Sequence, residues 1–133
     1  MTTWTEDELR RIGSATELQH APERGDGSLH AYVTVWVVRV GNDIYVRSAG
    51  GPDRPWYRHA RASSAGRIRA GGVKSTVTFR DASGDASEAI DSAYHSKYDQ
   101  YGQSIVGHVV GLKAHDVTVR LVPDESSSIA VTG

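Results

Sequence analysis

The densest run of chemically useful residues lies between Arg47 and Arg61, reading Arg-Ser-Ala-Gly-Gly-Pro-Asp-Arg-Pro-Trp-Tyr-Arg-His-Ala-Arg. Gly50 and Gly51 permit close backbone approach to a ligand. Pro55 suits the first turn of a helix, and a helix start presents free amides to an anion. Trp56 and Tyr57 offer flat faces for stacking, and the arginines add positive charge. On these residues alone a simpler reading is preferred: Trp56 and Tyr57 plug a barrel end. The basic cluster Arg54, Arg58, Arg61, Arg67, Arg69 and Lys74 is then a solvated face, unless the fold gathers it at one pocket mouth.

Other chemistry is sparse. The chain has no phosphate loop, no dinucleotide glycine fingerprint and no nucleophile elbow. Its 6 histidines, His20, His30, His59, His95, His108 and His115, show neither HxH nor HExxH spacing. They read as isolated surface residues, and no metal is expected. Asp85, Glu88 and Asp91 fall near one helix start and read as surface charge complementing its dipole. With no cysteine, disulfides, thiolate metal sites and a cysteine nucleophile are excluded.

The elements that must position these residues are legible from local signals. Thr5-Glu6-Asp7-Glu8 is a capping box opening a short helix over 5–12, with Gly13 as its stop. Residues 15–21 are weakly strand-like and lead into a turn at 23–27. His30 to Val40 is the strongest strand signal, apolar on both faces, and reads as a central strand buried on both sides. A tight turn at 41–43 leads into a strand over 43–48. A short helix is expected over 56–62, then a strand pair, 66–70 and 73–80, broken at Gly71-Gly72. In its second member Val73, Ser75, Val77 and Phe79 alternate with polar residues, one face in and one out. A longer helix follows over 86–101, then a closing strand over 117–122.

Consecutive strands joined by tight turns argue for antiparallel pairing, and closure into a barrel removes exposed edges. The expected fold is therefore α+β: a small barrel of about six mostly antiparallel strands with two or three flanking helices. With 133 residues, 38% of them hydrophobic and 23% charged, one domain over 1–123 and a flexible Ser-rich tail over 124–133 are expected. A net charge of −1 gives no general attraction to nucleic acid. No apolar run approaches the roughly 20 residues that span a bilayer. The acidic N-terminus shows no signal peptide, so the default location is cytoplasmic.

The run from Tyr32 to Arg69 resembles the split β-barrel superfamily of flavin- and deazaflavin-binding proteins, especially deazaflavin-dependent nitroreductases. The shared pattern is strand, tight turn, strand, glycine-bearing loop, Trp-Tyr helix, then Arg61-Ala62 leading into the next strand. The later helix with Tyr94, Tyr98 and Tyr101, and a final strand ending Val122-Pro123, also resemble that superfamily's closing elements, within a branch of short domains of unknown function. One departure stands out. Where the nitroreductases carry a basic Gly-Arg-Lys-Ser-Gly turn, this chain has Glu23-Arg24-Gly25-Asp26-Gly27, and its two carboxylates would repel a phosphate.

The resemblance implies an oxidoreductase that uses a deazaflavin or FMN on a small organic molecule. Ser48, Ala49, Gly50 and Gly51 and the amides of Trp56 and Tyr57 would then line the cofactor. Arg24, Arg47 and Arg61 would meet its phosphate or carboxylate groups. It also implies a two-fold homodimer. Two alternatives use the same barrel: a cofactor-free isomerase or cyclase with Tyr32, Tyr57 or His59 moving protons, and a non-catalytic small-ligand binder.

Overall fold

The structure, a computed structural model, describes residues 3–49, 51–85 and 87–123. The expected tail, Gly50 and Ala86 lie outside these. The capping box forms: the Thr5 hydroxyl accepts from the Glu8 amide (3.1 Å), and the Glu8 carboxylate accepts from the Thr5 amide (2.8 Å). The helix it starts, α1 (Glu6–Ser14), buries Leu9 and Ile12. Gly13 does not end it. A β-carbon there would sit 3.1 Å from Cβ of Arg39, so the glycine lets the helix lie close on the sheet.

Seven strands make one antiparallel sheet: β1 (Leu18–Pro22), β2 (Val33–Val35), β3 (Val37–Val40), β4 (Asp43–Arg47), β5 (Ala65–Ala70), β6 (Val73–Asp81) and β7 (Thr118–Pro123). Their order is β2-β1-β5-β6-β7-β4-β3. The first and last members are consecutive in the chain and joined at Trp36, so the sheet curls until its ends nearly meet. The fold is α+β, a nearly closed antiparallel barrel flanked by α1, α2 (Pro55–Ser63) and α3 (Ser87–Tyr98), with short helices α4 (Gln103–Val106) and α5 (Leu112–His115).

The expected central strand over 30–40 is corrected by this arrangement. It breaks at Trp36 into two edge strands; Thr34 is exposed, Val33 and Val35 are half-buried, and only Val37 and Val38 are buried. The apolar run serves closure: β2 pairs with β1 and β3 with β4. Tyr98 of α3 fixes the break. Its ring stacks on Trp36 (4.0 Å between centroids, 5° between planes). Its hydroxyl accepts from the Val37 amide (3.0 Å) and donates to the Thr16 carbonyl (2.7 Å).

Side-chain alternation divides the core in two. Ile44 and Val46 point into the barrel with Leu18, Ile68, Val77 and Leu121, while Tyr45 and Val38 face Ile90, Tyr94 and Tyr98 of α3. At the β5–β6 turn Gly71 (φ 57°) packs so tightly on α1 that a β-carbon would lie 2.2 Å from the Arg11 carbonyl oxygen. Among the described residues no helix is long and apolar enough to cross a membrane.

His20 is one of the polar residues buried among the described ones, with Arg47, Ser48 and Thr118, and it corrects the surface reading of the histidines. Its ring is 0% exposed, edge-on to Trp56 (4.5 Å) and Phe79 (5.7 Å), and neither ring nitrogen has a hydrogen-bond partner. Burial depresses its pKa to about 4.

Two predictions follow from these contacts. Replacing Tyr98 with phenylalanine strands a buried amide and should cost about 1–3 kcal/mol in urea unfolding. The same change at Tyr101, which is 47% exposed, should be nearly silent; equal effects would refute the role given to the Tyr98 hydroxyl. For His20, the unfolded chain binds a proton below roughly pH 6.5 that the folded chain refuses until about pH 4. Stability should therefore be fully present above that range and fall as pH drops through it, by up to about 3 kcal/mol. In His20→Leu this part of the pH profile should flatten; an unchanged slope would assign acid sensitivity to other groups.

Candidate functional site

The site grows from the end of β4, where alternation turns Arg47 outward beneath α3. Its side chain is 0% exposed. Nε donates to the Thr118 hydroxyl (2.8 Å), and Nη1 donates to Asp91 and to the Val109 carbonyl (2.7 Å). Nη2 is buried with no hydrogen-bond partner, and the guanidinium lies 5.5 Å from the Tyr94 ring centre. Asp91 also meets Nε2 of His115 (3.0 Å) and accepts weakly from the Gly111 amide (3.4 Å). Burial opposes ionisation of Asp91, but hydrogen bonds from His115 and Arg47 and the Arg47 charge together hold its carboxyl below the ordinary range. The surface-charge reading of the three helix acids is corrected here. Asp91 is an internal counter-ion, Asp85 accepts from the Tyr45 hydroxyl (2.9 Å), and only Glu88 is exposed.

Beside Arg47 opens a cleft of about 400 Å³, within the usual size of small-ligand sites. Trp36 and Trp56 line it together with Val33, Val35, Arg47 and Arg54, and Glu17 and His108 stand at exposed positions along it. Arg54 makes no ion pair among the described residues, whereas the Arg47 charge is matched by Asp91. The cleft thus offers two indoles, aliphatic surface and an unpaired guanidinium, Arg54, with Glu17 as the carboxylate in its lining.

The sequence candidates are distributed as follows. Arg47, Ala49 and Trp56 line the cleft. Ser48, Ala49 and Gly51 border an adjoining recess of about 250 Å³ that shares His108 with it. The loop between them is tied internally, the Ser48 hydroxyl donating to the Gly51 carbonyl (2.6 Å). The Tyr57 amide is already bonded to the Arg54 carbonyl (3.1 Å). Tyr57 itself is buried, its hydroxyl on the Asp116 carbonyl (3.2 Å), and with Arg61 it borders a separate recess of about 190 Å³. His59 stacks flat on His30 (3.7 Å, 5°). Tyr32 lies under the Arg69 guanidinium (3.9 Å), and Arg24 is exposed in its turn. Tyr32, Tyr57 and His59 do not share a pocket. Among the described residues no group of three or more His, Asp or Glu side chains could hold a metal ion.

Sequence reasoning gave Trp36 no role in a site and read Asp91 and His115 as surface residues. Trp36 was hidden in an apolar run. Asp91 is separated from Arg47 by 44 positions, and no local spacing announces that pair.

Comparison with known proteins agrees with this architecture. No protein of curated function matches the sequence significantly. Among solved structures, the conserved hypothetical protein Rv2991 from Mycobacterium tuberculosis is similar at TM-score 0.62 and 15% identity, covering 92% of this chain and 82% of that one. HutZ, the heme storage protein from Vibrio cholerae, is similar at TM-score 0.60 and 13% identity, covering 90% and 89%. An F420-H2-dependent reductase is similar at TM-score 0.58 and 17% identity, covering 80% and 93%. At these identities the likeness establishes the split-barrel fold. Residues 8–121 match a family profile, and the chain belongs to that family, the uncharacterized proteins conserved in bacteria termed DUF2255.

Proposed function

We propose that the Trp36–Trp56 cleft binds a flavin-type cofactor, a deazaflavin or FMN, and that the protein uses it as an oxidoreductase on a small organic molecule. The observation that carries this reading is the meeting of two tryptophans with a buried, partly unpartnered guanidinium in one cleft of about 400 Å³. Indole faces suit a flat fused ring. Arg54 suits the anionic tail, and Arg47, already neutralised by Asp91, suits a single oxygen acceptor. The basic turn of the nitroreductases is replaced by Glu23–Gly27, and Arg24 and Arg61 lie outside the cleft lining, so charge recognition falls to Arg54 and Arg47. Bound there, the cofactor would supply hydride transfer, and the chain would supply binding, orientation and exclusion of water. Similar barrels carry names that speak of F420 and heme, which supports a planar-ligand role.

The same reading includes a two-fold homodimer, since β2 is an edge strand and forms one wall of the cleft. Exposed Tyr101, 5.8 Å from the Trp36 ring centre, would lie near such a contact. Sedimentation at micromolar concentration should give a dimer; a clean monomer would remove this part of the proposal.

Titrating the purified protein with FMN and with F420 should perturb the ligand spectrum. Trp36→Ala should weaken binding by about 1–3 kcal/mol, the range seen when a stacked base loses its aromatic partner. Trp56→Ala should act likewise but also remove core packing worth about 3–5 kcal/mol, so thermal melting must accompany it. No spectral change with either ligand, or a folded Trp36→Ala variant that binds as tightly as the parent, would place the site elsewhere.

A further inference from the structure

We propose that Lys97 is a reactive amine in a second site, a groove between α1 and α3 that takes a small aldehyde bearing a carboxylate or phosphate. The groove, of about 430 Å³, shares no lining residue with the tryptophan cleft. Leu9, Val38 and Ala93 give it an apolar surface, and Arg10, Arg39 and Lys97 are its cations.

Lys97 is half-buried and makes no ion pair among the described residues. Its Nζ donates to the Val37 carbonyl (2.7 Å) and lies 5.2 Å from the Tyr98 ring centre. That carbonyl also lies 3.0 Å from the Tyr98 hydroxyl, whose single proton is shared between it and the Thr16 carbonyl (2.7 Å), so a donor stays within reach when the amine is engaged elsewhere. Burial lowers the Lys97 pKa to about 8, whereas an ordinary lysine is under roughly 1% free amine at pH 8. The charged side chains that line the groove are cationic, with Glu8 and Glu17 the nearby carboxylates that make no ion pair among the described residues. Arg39 pairs with Glu6 (2.9 Å), and Arg10 and Arg11 share the single carboxylate of Asp7. The Tyr98 hydroxyl, its pKa raised to about 12 by burial, stays neutral. Among the described residues the groove lining carries three cations, Arg10, Arg39 and Lys97, and no carboxylate, which selects for an anionic substituent.

The chemistry is imine formation. The Nζ lone pair attacks the aldehyde carbon as the carbonyl oxygen takes a proton, giving a carbinolamine. The two hydrogens of the amine and the carbonyl oxygen then leave together as water, and the C=N bond remains. No oxidant or reductant is required.

The test uses the full-length protein with 4-carboxybenzaldehyde, trapping the imine with cyanoborohydride and mapping adducts by mass spectrometry. Lys97 should be modified at least about tenfold faster than Lys74 or Lys113, with a rate that reaches half its maximum near pH 8. The uncharged 4-formylbenzamide should react more slowly. Arg10→Gln, at an exposed position, should slow only the carboxylate-bearing aldehyde, by about threefold. Equal modification of all three lysines would overturn the site. Equal rates for the two aldehydes, unmoved by Arg10→Gln, would overturn the anionic class. Because the wild-type chain carries the first comparison, no outcome depends on a variant folding.

Discussion

Arg47 carries a positive charge to a position where its side chain has no exposed surface, and ions taken out of water cost several kcal/mol unless paired and hydrogen-bonded. Its partners come from separate parts of the chain: Asp91 from α3, the Val109 carbonyl from the segment before α5, and Thr118 from β7. The Asp91 contacts to Gly111 and His115 extend the network along that same segment. One guanidinium thereby fixes how a helix, a connecting segment and two strands meet. Removing Asp91 would leave an unmatched buried charge, a worse state than losing both partners together. Nη2 is left without a partner, as is the hydroxyl of the neighbouring Tyr94, and Nη2 belongs to a residue that lines the cleft.

Barrel closure imposes the second constraint. A strand shared between the two ends of a sheet must change direction, and the change falls at Trp36. Tyr98 meets this need twice, by stacking on the indole and by accepting the Val37 amide at the point of the break. The same indole lines the cleft, so the residue that lets the sheet curl also forms one of the cleft's walls.

What could be read in the sequence was what short range determines. The capping box, the Gly71-Gly72 turn, Pro55 at the start of α2 and the alternation of β6 all rest on contacts within a few residues, and they form as expected. The apolar run at 30–40 misled because closure and central burial demand the same residue types; only the pairing partners distinguish them. His20 was invisible for a related reason. Its burial depends on Trp56 and Phe79 converging on it from a helix and a distant strand, and nothing in its neighbours along the chain signals that. Tight turns and the need to remove edges pointed to an antiparallel barrel, and the resemblance to split barrels agreed, but the strand order depends on long-range pairing that neither supplied. The lining of the cleft was only partly legible, since the glycine loop announced Arg47, Ala49 and Trp56 but not the opposite wall.

The dispersal of the acid–base candidates bears on which chemistry the barrel can host. General acid–base catalysis needs its groups within about 2.6–3.2 Å of the proton they move. Tyr57 spends its hydroxyl on the Asp116 carbonyl, His59 lies flat against His30, and Tyr32 is covered by Arg69. None of the three lines the cleft, and of the recesses described above only the one beside Arg61 contains any of them, Tyr57. The cleft instead presents stacking surface and fixed charge, with His108 as its only imidazole among the described residues. Such a lining has surface on which a flat ring could stack but little of its own to react with, which accords with the proposal that a bound cofactor would bring the chemistry.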